Sequence, residues 1–414
     1  MARRLRVHLR SPFALVFALS LLALQSVAPT PPAMAGLVLI ASMHVLAYLW
    51  VRLAASGLYV AREHSATPTY TGDAFTERFV IQNRAWVPLL WVELQDASAL
   101  PGYQGTAVLS LDARSDDVIA IPGRALRRGV YALGPVVVTM GDPFGLLEMR
   151  LRIGQGARRV VYPRPTEIAP FDRSPGAVPS EGLSRQETLD RSLQAVTVRP
   201  YVPGDAPRRI HWRTTARRSL PQHDALFVKE FDPQATSSLW VVLDLQAAAQ
   251  FGEGDASSEE RAIVLAASLA HQGLQEGRGV GLLAMGASIS LLVPRSGAEQ
   301  RWRLLEELAG MRAEGDVPLA DVLERLSHTI TRGHDVAVIA TALDDAWVEG
   351  VRTLLWRGAH VHAILLATEP PTATNNLQPP SHATSRDAVA AALADLGVPL
   401  LIVEPHPDPA RLVA

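Results

Sequence analysis

Between Arg199 and Arg218 the chain carries six arginines and one acid. Planar guanidinium groups bind carboxylate and phosphate oxygens in bidentate fashion, so this stretch is a candidate site for an acidic partner or an anion. The side chains concerned are Arg199, Tyr201, Asp205, Arg208, Arg209, His211, Trp212, Arg213 and Arg217. Pro203-Gly204-Asp205 predicts a tight turn, and Asp205 is placed to cap a short helix beginning near Pro207. On that helix Arg209, Arg213 and Arg217 share a face at i, i+4, i+8. The competing reading is a structural joint in which the arginines pair with Asp205, Glu230 and Asp232 and stack on Trp212. Catalysis is disfavoured, because arginine does not titrate and His211 has no second titratable group beside it in sequence.

Other chemistry is thinner. His360 and His362 stand at i, i+2, on one side of a strand, a spacing that suits zinc only with further ligands. Gly277-Arg278-Gly279-Val280-Gly281 precedes a strand, so it is neither a dinucleotide fingerprint nor a P-loop. No Gly-x-Ser-x-Gly elbow is present. The chain has no cysteine, which excludes disulfides, thiolate metal sites and cysteine nucleophiles, and Lys229 is its single lysine. With 39 basic and 41 acidic residues in 414, no global charge draws it to nucleic acid.

These residues need elements to hold them. From Leu239 to Leu245 a continuous apolar run, ending around Asp244, predicts a parallel strand buried on both faces. Further strands are expected at Val280 to Met285, Asp335 to Thr341, Val361 to Ala367 and Val398 to Val403. A helix starting at Ser258 is marked by Glu259 and Glu260. Such alternation predicts a doubly wound α/β sheet with its site at the carboxyl ends of the strands. From Tyr59 to Pro163 the period is two, as in Leu90, Val92 and Leu94 or Met149, Leu151 and Ile153, which predicts a β-sandwich. Asp142-Pro143-Phe144-Gly145 reads as a turn between two of its strands. Residues 164 to 190 read as a proline-rich linker, and Thr368 to Thr384 as a mobile loop.

Two uncharged runs, Phe13 to Ala28 and Ala33 to Val51, flank Pro29-Thr30-Pro31-Pro32. At about 1.5 Å rise per residue the second reaches across a hydrocarbon core of about 30 Å and the first is marginal, which predicts a membrane helical hairpin. A signal peptide cleaved at Ser26-Val27-Ala28 is the alternative. Arg3, Arg4, Arg6 and Arg10 before the first run, and Arg52 and Arg62 after the second, place residues 52 to 414 in the cytoplasm. The expected order is a transmembrane hairpin (1–52), a β-sandwich (53–163), a linker (164–198), the arginine-rich segment (199–236) and the α/β domain (237–414).

The stretch from Arg199-Pro200-Tyr201 through Pro203-Gly204-Asp205, Arg208, Ile210-His211-Trp212-Arg213 and Thr215-Ala216-Arg217, then Val228-Lys229-Glu230-Phe231, resembles the signature of the bacterial domain of unknown function 58 family. The resemblance extends to the hairpin and to the Gly129-Val130-Tyr131 and Asp142 to Leu146 turns. It implies a von Willebrand factor A-like fold for the α/β domain. It also implies a MoxR-type AAA+ ATPase and a transglutaminase-like membrane protein as partners. A von Willebrand A domain carries magnesium on an Asp-x-Ser-x-Ser motif, but here the stretch is Asp244-Leu245-Gln246-Ala247-Ala248. That leaves a degenerate site of Asp244, Gln246 and Asp344 with too few oxygens for a hard cation. The expectation is therefore a non-enzymatic, multi-pass scaffold of the cytoplasmic membrane with no cofactor and no nucleic-acid partner, bound to a MoxR-type ATPase. The alternatives are a metal-dependent enzyme centred on Asp244, or polyanion binding by the arginines.

Overall fold

A computed structural model describes residues 4–63, 67–154, 156–168, 195–201, 210–218, 226–231, 238–330, 332–342, 344–366 and 381–404. The chain divides into two compact units, Met1–Tyr162 and Pro163–Ala414.

The first unit opens with strand β1 (Arg4–Leu9), then helices α1 (Phe13–Val27) and α2 (Pro31–Gly57). Pro31 and Pro32 sit in the first turn of α2, where the missing N–H has no intrahelical partner to lose. The two helices pack on one another, with Gly36 against Leu21. Their large side chains, among them Phe13, Phe17, Leu22, Val38 and Leu46, point outward and are exposed. Among the described residues α2 is the one helix long and apolar enough to cross a membrane, and α1 is shorter. The arginines before the first apolar run have a second role that the charge pattern alone hid. Arg4 and Arg6 lie in β1, opposite Arg152 and Arg150.

After α2 come β2 (Leu58–Glu63), β3 (Thr69–Tyr70), β4 (Ala74–Asn83), β5 (Leu89–Asp96), β6 (Thr106–Leu111), β7 (Asp116–Arg124), β8 (Gly129–Leu133), β9 (Val136–Gly141), β10 (Leu147–Ile153) and β11 (Ala157–Tyr162). They form three sheets, ordered β1-β10-β9-β5-β6, β2-β4-β7 and β3-β11-β8. Phe79, Ile81, Leu94, Met140, Met149, Leu151 and Val161 meet in a single core. Val51, Ala54 and Ala55, from the last turns of α2, belong to the same core. The period of two holds in β10, where Met149, Leu151 and Ile153 are buried between exposed Arg150 and Arg152. It breaks in β5. A bulge between Leu89 and Val92 adds a residue and turns Leu90 outward, so that it is exposed while Leu89, Val92 and Leu94 are buried. The Asp142 turn forms as expected, its carboxylate accepting from the backbone N–H groups of Phe144 and Leu147, with Gly145 at φ 70°.

The second unit begins with β12 (Ala195–Pro200), which pairs antiparallel with β13 (Phe227–Phe231); α3 (Trp212–Arg218) lies between them in sequence. Strands β14 (Leu239–Leu243), β15 (Val280–Met285), β16 (Ile289–Arg295), β17 (Asp335–Ala340), β18 (His360–Leu366) and β19 (Leu400–Val403) follow. Their sheet runs β16-β15-β14-β17-β18-β19 and is parallel except for the edge strand β16. Helices α4 (Ser258–Gln275), α5 (Ala298–Gly310), α6 (Leu319–Thr329), α7 (Ala346–Trp356) and α8 (Ser381–Asp395) complete it. Gly273 of α4 touches Leu239, whereas Trp240 and Val242 pack with Leu323, Trp347 and Val389 from α6, α7 and α8. Neighbouring residues of a strand face opposite ways, so helices cover both faces. Strand β16 escaped the periodicity reading, since Ile289, Leu291 and Val293 are exposed. Ser381 to Thr384, expected as loop, begin α8, while 368–380 lie outside the described residues. So do 169–190 of the expected linker.

Within the first unit Glu77 is buried between two arginines, Arg62 at 3.3 Å and Arg159 at 2.6 Å, and Arg62 also reaches Asp96 at 2.6 Å. Removing one partner of a buried pair strands the remaining charge. Glu77→Ala is expected to lower the unfolding free energy of this unit by about 3–5 kcal/mol, read by denaturant titration.

Candidate functional site

The arginine segment is built on the β12–β13 ribbon. Tyr201 donates its N–H to the carbonyl of Leu226, and Ile210 forms a bridge to Val228. His211 donates its own N–H to the carbonyl of Phe227 at 2.7 Å, and its ring Nδ1 accepts from the N–H of Thr214 at 3.0 Å. The imidazole therefore acts as the cap of α3, with Nδ1 as acceptor. Thr215 Oγ1 accepts from the N–H of Phe227, fixing the helix from below, and Ile210, Thr215 and Val228 are buried. Outward stand Arg213 and Arg217, one turn apart, and Trp212, which is 66% exposed.

Helix α3 is described from Trp212, and Ile210 before it is paired as an extended residue; the expected helix start near Pro207 falls on residues 202–209, outside those described. Asp205, Arg208 and Arg209 lie outside the described residues, as does Asp232 among the acids expected to pair with them. Arg199 stands in β12 opposite Val228.

At the carboxyl end of β14, Asp244 is 1% exposed and its carboxylate is fully engaged. One oxygen accepts from the N–H of Gln246 at 3.2 Å. The other accepts from Thr341 N–H at 3.1 Å, Thr341 Oγ1 at 2.8 Å and Ala342 N–H at 2.9 Å. Gln250 Nε2 lies 3.1 Å from the Asp244 carbonyl, 3.2 Å from that of Gln246 and 3.1 Å from Thr341 Oγ1, and Ser258 donates to its Oε1. Three oxygens are thus gathered around an amide donor, the position a cation would need. Asp344 is exposed and accepts from the N–H of Ala346 at the start of α7. These residues do not fit the magnesium site of a von Willebrand A domain, which needs several oxygens with unused lone pairs. Thr341, Gln250 and Ser258 were missed in the sequence. Thr341 alone had a signal, as a hydroxyl ending the strand beside β14.

His360 and His362 lie on β18 beside Asp335 and Ala337 of β17, and Asp335 is ion-paired with Arg278. Among the described residues no three His, Asp or Glu side chains converge to hold an ion. Burial pushes the His334 and His362 imidazoles below their ordinary 6.5, with Asp335 opposing in part; the charges of His360 and Arg278 lower His362 further.

An apolar helix pair fused to an all-β core, followed by a parallel α/β unit whose first-strand aspartate is locked by hydrogen bonds, makes this a mixed α/β protein with an N-terminal apolar helix. Residues 197–370, from β12 to just beyond β18, match the model of the family described as protein of unknown function DUF58. It is 24% identical over 303 residues to the uncharacterized protein YeaD of Bacillus subtilis, covering 69% of this chain and 70% of the relative. It is 29% identical over 134 residues to the uncharacterized protein Rv1480 of Mycobacterium tuberculosis, covering 31% of this chain and 41% of that protein. Among solved structures, a von Willebrand factor type A protein from Catenulispora acidiphila superposes with a TM-score of 0.27 at 12% identity, over 43% of this chain and 40% of that one.

Asp244→Ala orphans three buried N–H donors and is expected to destabilise the α/β unit by about 3 kcal/mol or more. Millimolar magnesium is expected to leave the unfolding temperature of the unsubstituted protein unchanged. Stability should also depend on pH. The folded state holds His334 and His362 neutral, so the unfolded chain binds more protons as pH falls through 6.5. The unfolding temperature should drop from pH 7.5 to 5.5, a slope that the double variant His334→Gln/His362→Gln should flatten.

Proposed function

We propose that the protein is a membrane-anchored adaptor whose α3 surface binds an acidic protein partner. By the family resemblance that partner is a MoxR-type AAA+ ATPase, acting with a transglutaminase-like membrane protein in assembly or maturation of an envelope complex. The observation that carries this reading is the display of Trp212 beside Arg213 and Arg217, on a helix pinned from below by His211 and Thr215. Leaving an indole in water is unfavourable, and tryptophan and arginine are the residues that dominate protein interfaces. The Asp244 centre, spent on internal hydrogen bonds, supports binding over catalysis.

Anchoring rests on α2 and its outward apolar side chains. The pairing of β1 with β10 supports a hairpin: both helix ends leave the same unit, so the chain must return to the side it started from. A cut after Ala28 would strip β1 from its sheet, which disfavours the signal-peptide reading. Arg10 and Arg52 stand at the helix ends and favour the cytoplasmic side. On this reading the protein is a multi-pass resident of the cytoplasmic membrane with its folded units in the cytoplasm.

Capture of the full-length protein from its native membrane, with ATP and mild crosslinking, should recover the ATPase. Arg213→Ala and Trp212→Ala should each cut that recovery about tenfold while leaving the unfolding temperature unchanged. Recovery of no ATPase, with neither substitution altering any other captured protein, would end this reading. A reporter at the C-terminus that is active only outside the cytoplasm would overturn the topology.

A further inference from the structure

Strand registers bring a set of loops to one end of the first unit. Leu9 is opposite Leu147, Leu58 opposite Asn83, Gln82 opposite Asp116 and Leu89 opposite Leu111. The junctions of α1 and α2 with the sheets therefore share an end with the segments following β4, β6 and β9. Backbone hydrogen bonds tie them together. Arg84 N–H donates to the Gly57 carbonyl, Arg114 N–H to that of Ala85, and Arg10 N–H to that of Leu146. Gly57 is packed so tightly on Ala85 that a Cβ there would lie 2.3 Å from the Ala85 nitrogen.

The same end carries three pairs of arginine and aromatic ring. The Arg114 guanidinium lies 3.5 Å from the ring centre of Trp86, Arg84 lies 5.5 Å from Tyr59, and Arg10 lies 5.0 Å from Trp91. Trp86 is 80% exposed even with Arg114 stacked on it. Arg114 holds φ at 56°, a conformation unusual for a residue with a side chain. Phe144, at the tip of the Asp142 turn, is 46% exposed. A fold gains nothing from presenting these rings to water. Amphipathic aromatic rings settle at the headgroup level of a bilayer, and arginines beside them meet lipid phosphates.

We propose that this end of the β unit is a docking collar for an anionic phospholipid surface. Trp86 and Phe144 enter the headgroup layer, and Arg10, Arg84 and Arg114 hold lipid phosphates around the base of the hairpin. The proposal rests on α1 and α2 lying in the bilayer. Continuity with the outward-facing apolar surface of α2 selects a membrane over a protein as its occupant; exposed Asp112, Asp116 and Asp117 share this end, so the placement of the three arginines beside the rings, and not net charge, points to lipid phosphates.

The chain's lack of cysteine permits a direct test. Full-length Trp86→Cys, Val38→Cys and Gln104→Cys variants, each labelled with a polarity-sensitive fluorophore, are reconstituted into phosphatidylcholine vesicles with and without phosphatidylglycerol. Position 38 reports the hairpin, and exposed position 104 stands at the opposite end of the unit. With phosphatidylglycerol, quenching by headgroup-level nitroxide lipids should be about threefold stronger at 86 than at 104. Adding Arg84→Gln and Arg114→Gln should abolish that excess and leave position 38 quenched. If 86 matches 104 while 38 is quenched, the collar is wrong and the anchor stands. If 86 is quenched equally in both lipids, the anionic part is wrong. If 38 itself stays in water, the membrane reading fails and takes the collar with it.

Discussion

The first unit depends on the burial of one helix end in a β core. Val51, Ala54 and Ala55 pack among Phe79, Leu94 and Met149, and Gly57 lies directly on Ala85. A helix whose last turns belong to a sheet core cannot swing freely, and no flexible linker separates Gly57 from Leu58. Small residues make this possible. Alanines at 54 and 55 and glycine at 57 let the strands approach a backbone that larger side chains would hold off. The exposed apolar length of α2 is thereby aimed by the fold itself.

The second unit solves a different problem. A parallel sheet collects strand ends and an acid at one edge, the arrangement that elsewhere supports ligands. Here four donors from the protein satisfy the Asp244 carboxylate, and Gln250 occupies the point where its neighbouring oxygens converge. The chain has kept the hydrogen-bond geometry of such a site and turned it inward. The α3 surface is built differently: the core-facing side of a short helix is held by a ribbon, and the opposite side carries a tryptophan and two arginines.

Strand positions in the α/β unit were legible because buried parallel strands read as continuous apolar runs; Val280 to Met285 coincides with β15 to the residue. Leu90 was misread because a bulge changes parity without leaving a mark in composition. The edge strand β16 was missed because its outward residues are apolar, so it lacks the polar alternation of a half-exposed strand. At the arginine segment the expected helix start falls on residues 202–209, outside those described. Ile210 stands in a bridge set by Val228, a partner distant in sequence, and such a contact leaves no local mark in the sequence. Gln250 and Ser258 could not be read as site residues because side-chain hydrogen bonds between separate segments carry no local periodicity.

The edge pairing of β1 also orders events in time. Residues 4–9 leave the ribosome well before their partner, 147–153, which is made only after both apolar helices and eight further strands. During that interval β1 is a strand without a ladder, and α2 lacks the sheet residues that bury its last turns. The unit can therefore close only from both ends at once, late in its own synthesis, with the helices already placed.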